Sequence, residues 1–207
     1  RLVGNHAPVT AQVQVAAERV DVVHREDGVT GQFVRPAEIA LHLIRLLQAR
    51  VDPALMHLKE LIAQGYVGEV LAVRVGLLRE GVLTRPSHRT WQRDAALGAN
   101  TLTIANGHTI DAMRSVIGDF RSLSTVVATQ AKQWLDTGAN TWLDVTAPDN
   151  ILISGWLRNG AVVSSHVAAI PYAGSGYRME IYGRDGALVA SGEDSPQLSK
   201  VFLHGAQ

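Results

Sequence analysis

The dipeptide Asn159-Gly160 is the feature that most constrains the fold of this chain. It separates two apolar stretches, residues 151–158 and residues 161–168. Asn-Gly is preferred in two-residue hairpin turns because both central positions need a positive φ. The sequence therefore predicts an antiparallel hairpin whose strands are these two stretches.

A second hairpin is predicted closer to the C-terminus. Residues 177–183 and 187–190 flank Arg184-Asp185-Gly186, which has the composition of a tight turn. Residues 122–129 and 201–203 are further candidate strands. The second half of the chain is therefore predicted to be rich in β-structure.

Helices are predicted before this β-rich region. Asp52 offers a side-chain acceptor at a helix start, and Pro53 then occupies the first helical position, where its missing N–H costs nothing. Leucines and an isoleucine follow at helical spacing, and Gly65 suits the left-handed position after the helix end. Residues 101–117 form a second predicted helix, which Gly118 ends.

Between these helices, residues 70–78 alternate apolar and other side chains, the period of a strand with one buried face. Leu71 is the first apolar residue of that alternation. Residues 79–97 are polar and predict a long surface loop. Residues 12–23 suit a strand or a helix, and Pro36 suits the start of a helix over residues 37–47.

These elements predict the α+β class, with a mostly antiparallel open sheet and helices packed on one face. The other face is then free to pair with a second copy, so we expect a homo-oligomer. Residues 47–207 are expected to form this domain, and residues 1–46 stay unassigned.

Composition excludes several classes of function. Nineteen basic residues balance nineteen acidic ones, so no net field favours nucleic acid or an anionic membrane. Cysteine is absent and no apolar stretch approaches the roughly 20 residues of a membrane span, so a cytoplasmic protein is expected. The eight histidines are scattered, so we expect no metal site.

Several ordered motifs together resemble one known family. They are Leu47-Gln-Ala-Arg50, residues 65–70, Gly107-His-Thr-Ile-Asp111, Asp149-Asn150 and the hairpin over residues 183–192. In this order they resemble the C-terminal half of the Gfo/Idh/MocA family of glucose–fructose oxidoreductases and inositol dehydrogenases. The resemblance covers about residues 47–200. It implies an α+β substrate and oligomerisation domain, which in that family follows a dinucleotide-binding domain.

The cofactor half of such an enzyme is not visible in the sequence. No G-x-G-x-x-G fingerprint occurs, and 46 residues are too few for a dinucleotide domain. The family's catalytic lysine precedes the segment matched by Arg50, whereas the first lysine here is Lys59. We therefore expect no cofactor site in this chain, and NAD or NADP only if a dinucleotide domain is supplied.

Within the family, one branch is most similar. Residues 101–104 precede the Gly-His motif, and Pro148-Asp149 begins a segment that ends in Ser-Gly155. This arrangement resembles the branch of the fungal galactose-pathway repressors. Catalytic relatives place an aspartate four residues before the histidine, and here that position is Ile104.

The resemblance implies candidate site residues. His108 and Asp111 are three apart on a predicted helix, where a hydrogen bond between them would fix the imidazole tautomer. His108 would then move a proton at the substrate while a nicotinamide takes the hydride. The alternative is a packed helix end in which Asp111 or a backbone carbonyl satisfies His108.

Four other residues are weighed in the same way. Arg50 holds a polar substrate or forms an ordinary ion pair near a helix start. Trp91 either contacts a sugar-like ligand or is buried and anchors its loop. Asn106 is a further candidate for substrate binding. His166 points to the open face of the sheet as a candidate site residue, or it only packs at the surface or in an interface.

Three functions stay open at this point. The first is the C-terminal substrate-binding and oligomerisation domain of an NAD(P)-dependent sugar or polyol oxidoreductase, inactive alone. The second is a non-catalytic protein that resembles the galactose repressors. The third is a truncated gene product.

Overall fold

A large mixed sheet backed by two helices forms the body of the protein. The computed structural model describes residues 48–207. Its strands are β1 (Val70–Glu80), β2 (Thr84–Arg85), β3 (Phe120–Ala128), β4 (Gln133–Asp136), β5 (Thr141–Asp144), β6 (Asn150–Leu157), β7 (Val162–Ile170), β8 (Gly176–Gly183), β9 (Ala187–Gly192) and β10 (Phe202–Ala206). Its α-helices are α1 (Pro53–Ala63) and α2 (Gly107–Ile117). Short 3-10 helices span Gln48–Val51, Ser87–Arg93 and Ala95–Leu97, and a π-helical turn spans Leu102–Asn106.

Seven strands form the main sheet in the order β10-β9-β8-β1-β7-β6-β3. Only the β1–β7 pair is parallel, and the other five neighbouring pairs are antiparallel. This confirms the predicted fold class. The predictions made for residues 12–23 and 37–47 lie outside the described residues.

Helix α1 begins as its sequence predicts. The Asp52 carboxylate accepts from the backbone N–H groups of Ala54 at 3.0 Å and Leu55 at 3.1 Å, with Pro53 at the first position. Gly65, two residues after the helix, has a φ of +82°. These contacts satisfy amides that would otherwise lack partners at the helix start.

Both helices pack on one face of the sheet, and the core lies between the helices and this face. On β1, the side chains of Val73, Val75 and Leu77 alternate into this core. Leu71 does not follow the alternation and is 44% exposed, because the β1–β8 register shifts between Val70 and Ala72. A bulge re-aims side chains in this way.

The predicted surface loop over residues 79–97 is more ordered than its composition indicates. It contains the end of β1, the short strand β2 and two 3-10 turns. Strand β2 joins β4 and β5 in a separate three-stranded sheet, which sequence analysis missed. Strands of two to four residues carry too little periodicity to be recognised.

Asp136 ties this small sheet to the loop. Its carboxylate accepts from the Ser87 hydroxyl at 2.5 Å and from the N–H groups of Gly138 and Ala139. The Ser87 hydrogen bond, with these two amides, lowers the pKa of Asp136. The loop is therefore held by polar contacts rather than by a core of its own.

Both predicted hairpins are confirmed, but the reason given for the first is wrong. Gly160 has a φ of +93°, whereas Asn159 does not have a positive φ. The Leu157 N–H donates to the carbonyl of Ala161, and the Asn159 side chain accepts from the Ala161 N–H. The turn is therefore a longer loop with glycine at its one left-handed position, a common alternative to the two-residue turn.

The face of the sheet opposite the helices is open. Ser124, Ser154 and Ser164 stand opposite one another on β3, β6 and β7, and Arg74 and Glu180 continue the row on β1 and β8. Large apolar side chains on either side of this row are exposed: Val126, Leu152, Trp156, Val162, Tyr182 and Phe202. Among residues 48–207, no helix is long and apolar enough to cross a membrane.

Candidate functional site

The helix that carries His108 begins with an unusual turn. The Asn106 N–H donates to the carbonyl of Thr101, five residues earlier, at 2.9 Å. Asn100 caps this turn, because its side-chain oxygen accepts from the N–H of Leu102 at 3.0 Å. The predicted helix over residues 101–117 is therefore π-helical in its first turn and α-helical from Gly107. Such π-turns are frequent at functional sites.

Arg50 and Asp111 form a two-pronged ion pair that joins the 3-10 turn before α1 to the side of α2. Nε of Arg50 donates to Oδ2 of Asp111 at 2.8 Å, and Nη2 donates to Oδ1 at 2.5 Å. The Asp111 side chain is 11% exposed and that of Arg50 is 47% exposed. The hydrogen bond that Arg50 donates to Asp111 raises the pKa of the Arg50 guanidinium. We call this pair the Arg50–Asp111 clamp.

The expectation of a hydrogen bond between His108 and Asp111 is wrong. Both Asp111 oxygens are taken by Arg50, which was not expected to reach this helix. Nδ1 of His108 is buried and has no hydrogen-bond partner among residues 48–207. The alternative in which a backbone carbonyl satisfies this nitrogen is not observed either.

Asn106 presents a second buried polar atom without a partner. The residue is 8% exposed, and its Oδ1 accepts no hydrogen bond within the described part of the chain. Apart from its chain neighbours Asn106 and His108 and the backbone of its own helix, Gly107 has no heavy atom of residues 48–207 within 4 Å of the position that a Cβ would occupy. Three consecutive residues thus combine two unsatisfied polar groups with free space, which is unusual in a native interior.

The other candidates lie farther from the clamp. Trp91 is 48% exposed, so the alternative of a loop anchored by a buried Trp91 is wrong. His166 lies on the open face, opposite Gly76 and Leu152, with its Nε2 3.3 Å from Oδ1 of Asn150. It is therefore on the other side of the sheet from α2.

Two concavities in the described part of the chain bear on the candidate site. One is a groove of about 500 Å³ on the open face, lined by the serine row, His166 and the Arg74–Glu180–Arg178 group. The other, of about 100 Å³, lies beside the start of the His108 helix and is lined by Ile104 and Ala105 among others. Residues 48–207 contain no group of three or more acidic, histidine or cysteine side chains placed to hold a metal ion.

Comparison with known proteins places this arrangement in a family. A family model described as the Gal80p C-terminal domain matches residues 53–192, which is more than half of the chain. The chain belongs to this family. It is a domain of the Gfo/Idh/MocA C-terminal type, as the sequence motifs indicate.

The relatives of this Gal80p-like domain include oxidoreductases and regulators. An uncharacterized oxidoreductase of Synechocystis is 27% identical over 210 residues, which cover 99% of this chain and 52% of that protein. A super-repressor mutant of Gal80p from Saccharomyces cerevisiae superposes with a TM-score of 0.70 at 24% identity, over 77% of this chain and 45% of that chain. Levoglucosan dehydrogenase, in complex with NADH and L-sorbose, has a TM-score of 0.56 at 20% identity, over 77% of this chain and 45% of its own.

The Gal80p-like chain therefore spans about half the length of the relatives it matches. The Synechocystis alignment also takes in residues 1–46, which sequence analysis left unassigned. The two structural likenesses establish the fold alone, since both identities are below 25%.

A double-mutant cycle on the Arg50–Asp111 clamp tests its strength. Arg50→Ala leaves a nearly buried carboxylate without its donors, so we expect a loss of about 1–2 kcal/mol in the free energy of unfolding. Asp111→Ala after Arg50→Ala should cost less than Asp111→Ala alone, because the pair is already broken. Urea unfolding measures both changes.

The matched control is the exposed pair Arg114–Asp119, whose shortest N···O distance is 2.7 Å. Its coupling free energy should be near zero, because both side chains are about half exposed. Equal coupling in the two pairs would contradict a special role for the clamp.

Proposed function

We propose that this Gal80p-like domain is the substrate-binding part of an NAD(P)-dependent oxidoreductase that acts on a sugar or polyol. The observation that supports this best is the pair of buried, unpartnered polar atoms on either side of Gly107: Oδ1 of Asn106 and Nδ1 of His108. Leaving such atoms unsatisfied costs about 1–3 kcal/mol each. A bound polyol removes this cost, because its hydroxyl groups both donate and accept.

Each residue of the site then has a distinct task. Asn106 accepts a hydrogen bond from a substrate hydroxyl, and the His108 imidazole receives the proton of the hydroxyl that is oxidised. The Arg50–Asp111 clamp positions the helix on which both lie. When bound, a nicotinamide cofactor supplies the hydride acceptor.

Two observations support the assignment of this domain to a nicotinamide-dependent enzyme. The open space at Gly107 leaves room for a planar ring or a sugar against the helix. Levoglucosan dehydrogenase, with the same fold, is described in complex with NADH and a sugar. The dinucleotide itself would be bound by chain other than residues 48–207, which we propose to be the substrate and oligomerisation part.

A second candidate function is regulation without catalysis. Ile104 occupies the position at which the sequence motif of catalytic relatives has an aspartate, and its side chain is 44% exposed beside the site. The match to the Gal80p domain model supports this candidate. In that case Asn106 and His108 bind a ligand and the protein acts through association.

An activity assay on a hybrid distinguishes the two functions. Residues 48–207 would replace the matched part of the Synechocystis oxidoreductase, and the formation of reduced nicotinamide would be followed with a panel of sugars and polyols. We expect turnover, and a loss of about 100-fold or more in kcat for His108→Ala because the proton acceptor is removed. His204→Ala, a change at an exposed histidine on β10, should leave kcat unchanged.

Two results would contradict parts of this proposal. Turnover that persists in His108→Ala would show that His108 is not the proton acceptor. A folded hybrid that binds sugars and yields no reduced nicotinamide with any of them would favour the regulatory function.

We further propose that a second copy of the chain covers the open sheet face. Exposed apolar side chains flank the serine row on both sides, and exposed apolar surface is typical of interaction sites on soluble proteins. Glu180 in its centre is 6% exposed and is already paired with Arg178 at 2.6 Å, so desolvation of this charge is largely complete. A two-fold axis through the serine row would place the apolar flanks of the two copies together.

Light scattering after size exclusion tests this assembly. We expect a dimer or a larger oligomer, and Trp156→Glu should give monomers because it replaces an exposed apolar side chain of the interface by a charged one. Trp142→Glu, at a 59% exposed tryptophan of the small sheet, should leave the assembly intact. A wild-type monomer at high concentration would contradict the proposal.

A further inference from the structure

The smaller cavity, beside the start of the His108 helix, has an unusual concentration of positive charge. Arg79 at the end of β1, Arg85 on β2 and Arg89 in the following 3-10 turn all line it. Only one acidic residue, Asp149, joins them in the lining. We call this space the arginine cavity.

Asp149 forms no ion pair with these arginines. Its two oxygens accept from the N–H groups of Gln130 and Ala131, and from the Asn150 side chain. They are already occupied by four hydrogen bonds to neutral donors, and the residue is 4% exposed. Arg79 alone has an acidic partner, Asp194 at 2.9 Å, outside the cavity lining.

Arg85 and Arg89 have N–H donors that make no hydrogen bond within residues 48–207. Arg85 uses Nη1 for the carbonyls of Gly81 and Thr84, while its Nε and Nη2 donate to no other residue of 48–207. Arg89 makes no side-chain hydrogen bond or ion pair within the same range. Burial, with the nearby charges of Arg89 and Arg79, lowers the pKa of Arg85. Arg85 and Arg89 therefore lie close together without an ion-pair partner for either in this range, and such a pair of like charges is costly.

A buried donor without an acceptor is a second, independent sign. Trp134 lines the same cavity and is 5% exposed, and its indole Nε1 is buried with no hydrogen-bond partner among the described residues. The guanidinium of Arg85 lies over its ring, 4.4 Å from the centroid. An indole nitrogen can only donate, so the missing partner has to be an acceptor.

We propose that the arginine cavity binds one oxyanion group, a carboxylate or a phosphate, carried by the substrate. Arg85 and Arg89 supply charged donors, and Trp134 supplies a neutral one. Guanidinium groups match the paired oxygens of both anions. A space of about 100 Å³ admits a single such group rather than a whole sugar.

The position of the cavity connects it to the candidate site. Ile104 and Ala105 line it, and they lie four and three residues before His108 along the chain. The first amides of this helix are capped by Asn100, so the arginines are the main donors. Within the proposed function, the arginine cavity selects acidic or phosphorylated sugars as substrates. The anion site rests on that function only for the identity of the molecule that carries the anion.

The experiment measures anion binding directly, on the whole 207-residue chain. Inorganic phosphate and acetate would be titrated separately at constant ionic strength, with the indole N–H of Trp134 and the Nε–H of Arg85 followed by NMR. We expect a saturable shift of both signals with at least one anion. Saturation by phosphate alone assigns a phosphate group, and saturation by acetate alone assigns a carboxylate.

Variants separate this site from general charge effects. Arg89→Gln should weaken the binding about tenfold, because it removes a charged donor. Arg158→Gln removes the same charge from an exposed position in the β6–β7 turn and should leave affinity unchanged. Both substitutions are at exposed side chains, so folding is not expected to suffer.

Failure of this inference is distinguishable from failure of the proposed function. His108→Ala should not alter the anion affinity, whatever its effect on turnover. No saturable shift with either anion, or equal affinities in wild type, Arg89→Gln and Arg158→Gln, would overturn the oxyanion site while leaving the oxidoreductase untouched.

Discussion

Both oxygens of Asp111 are taken by the guanidinium of Arg50, and the geometry of the candidate site depends on this contact. An ion pair of this kind adds little net stability, because desolvating the two charges offsets most of their attraction. Its contribution is instead geometric. The two parallel hydrogen bonds fix α2 against the turn before α1, and they leave the neighbouring imidazole of His108 unbonded. A histidine whose carboxylate neighbour is already engaged is available to a ligand.

The rest of the fold can be understood as a support for that helix. Val73, Val75 and Leu77 of β1 supply the apolar surface under the helices, and β1 lies at the centre of the seven-stranded sheet. The π-turn over Leu102–Asn106 then directs Asn106 inward without a partner. Burial therefore stabilises the helix as a whole, while its first turns retain unsatisfied polar groups. This division is common where a site is built on a rigid element.

Much of the fold could be predicted from the sequence, because local signals decide it. Asp52-Pro53 begins α1, Gly118 ends α2, and the two hairpins follow from their turn residues and alternating patterns. The small sheet was missed because Thr84–Arg85 is too short to show a period, and its pairing with Gln133–Asp136 joins residues about fifty positions apart. Leu71 was misplaced because a bulge shifts the register, an effect that no alternation reveals.

The site was less predictable, for a related reason. His108, Asp111, Arg50 and Asn106 were all identified as candidates from family motifs, yet their pairing was not. Spacing on one helix favoured a contact between His108 and Asp111, whereas Arg50, sixty-one residues away along the chain, takes the carboxylate. The arginine cavity gave no sequence signal, because its residues come from a strand, a turn and a separate sheet that only the tertiary fold brings together. A guanidinium fork competes for a carboxylate more effectively than a neutral imidazole does.

Hydrogen exchange of the α2 amides tests most directly whether the Arg50–Asp111 clamp positions His108. Amides of residues 107–112 should exchange about tenfold faster in Arg50→Ala than in wild type, since losing the clamp lowers the free energy of local opening. The β6–β7 amides should keep their wild-type rates, and Arg114→Ala should leave both regions unchanged. Unaltered exchange over residues 107–112 in Arg50→Ala would contradict the positioning role.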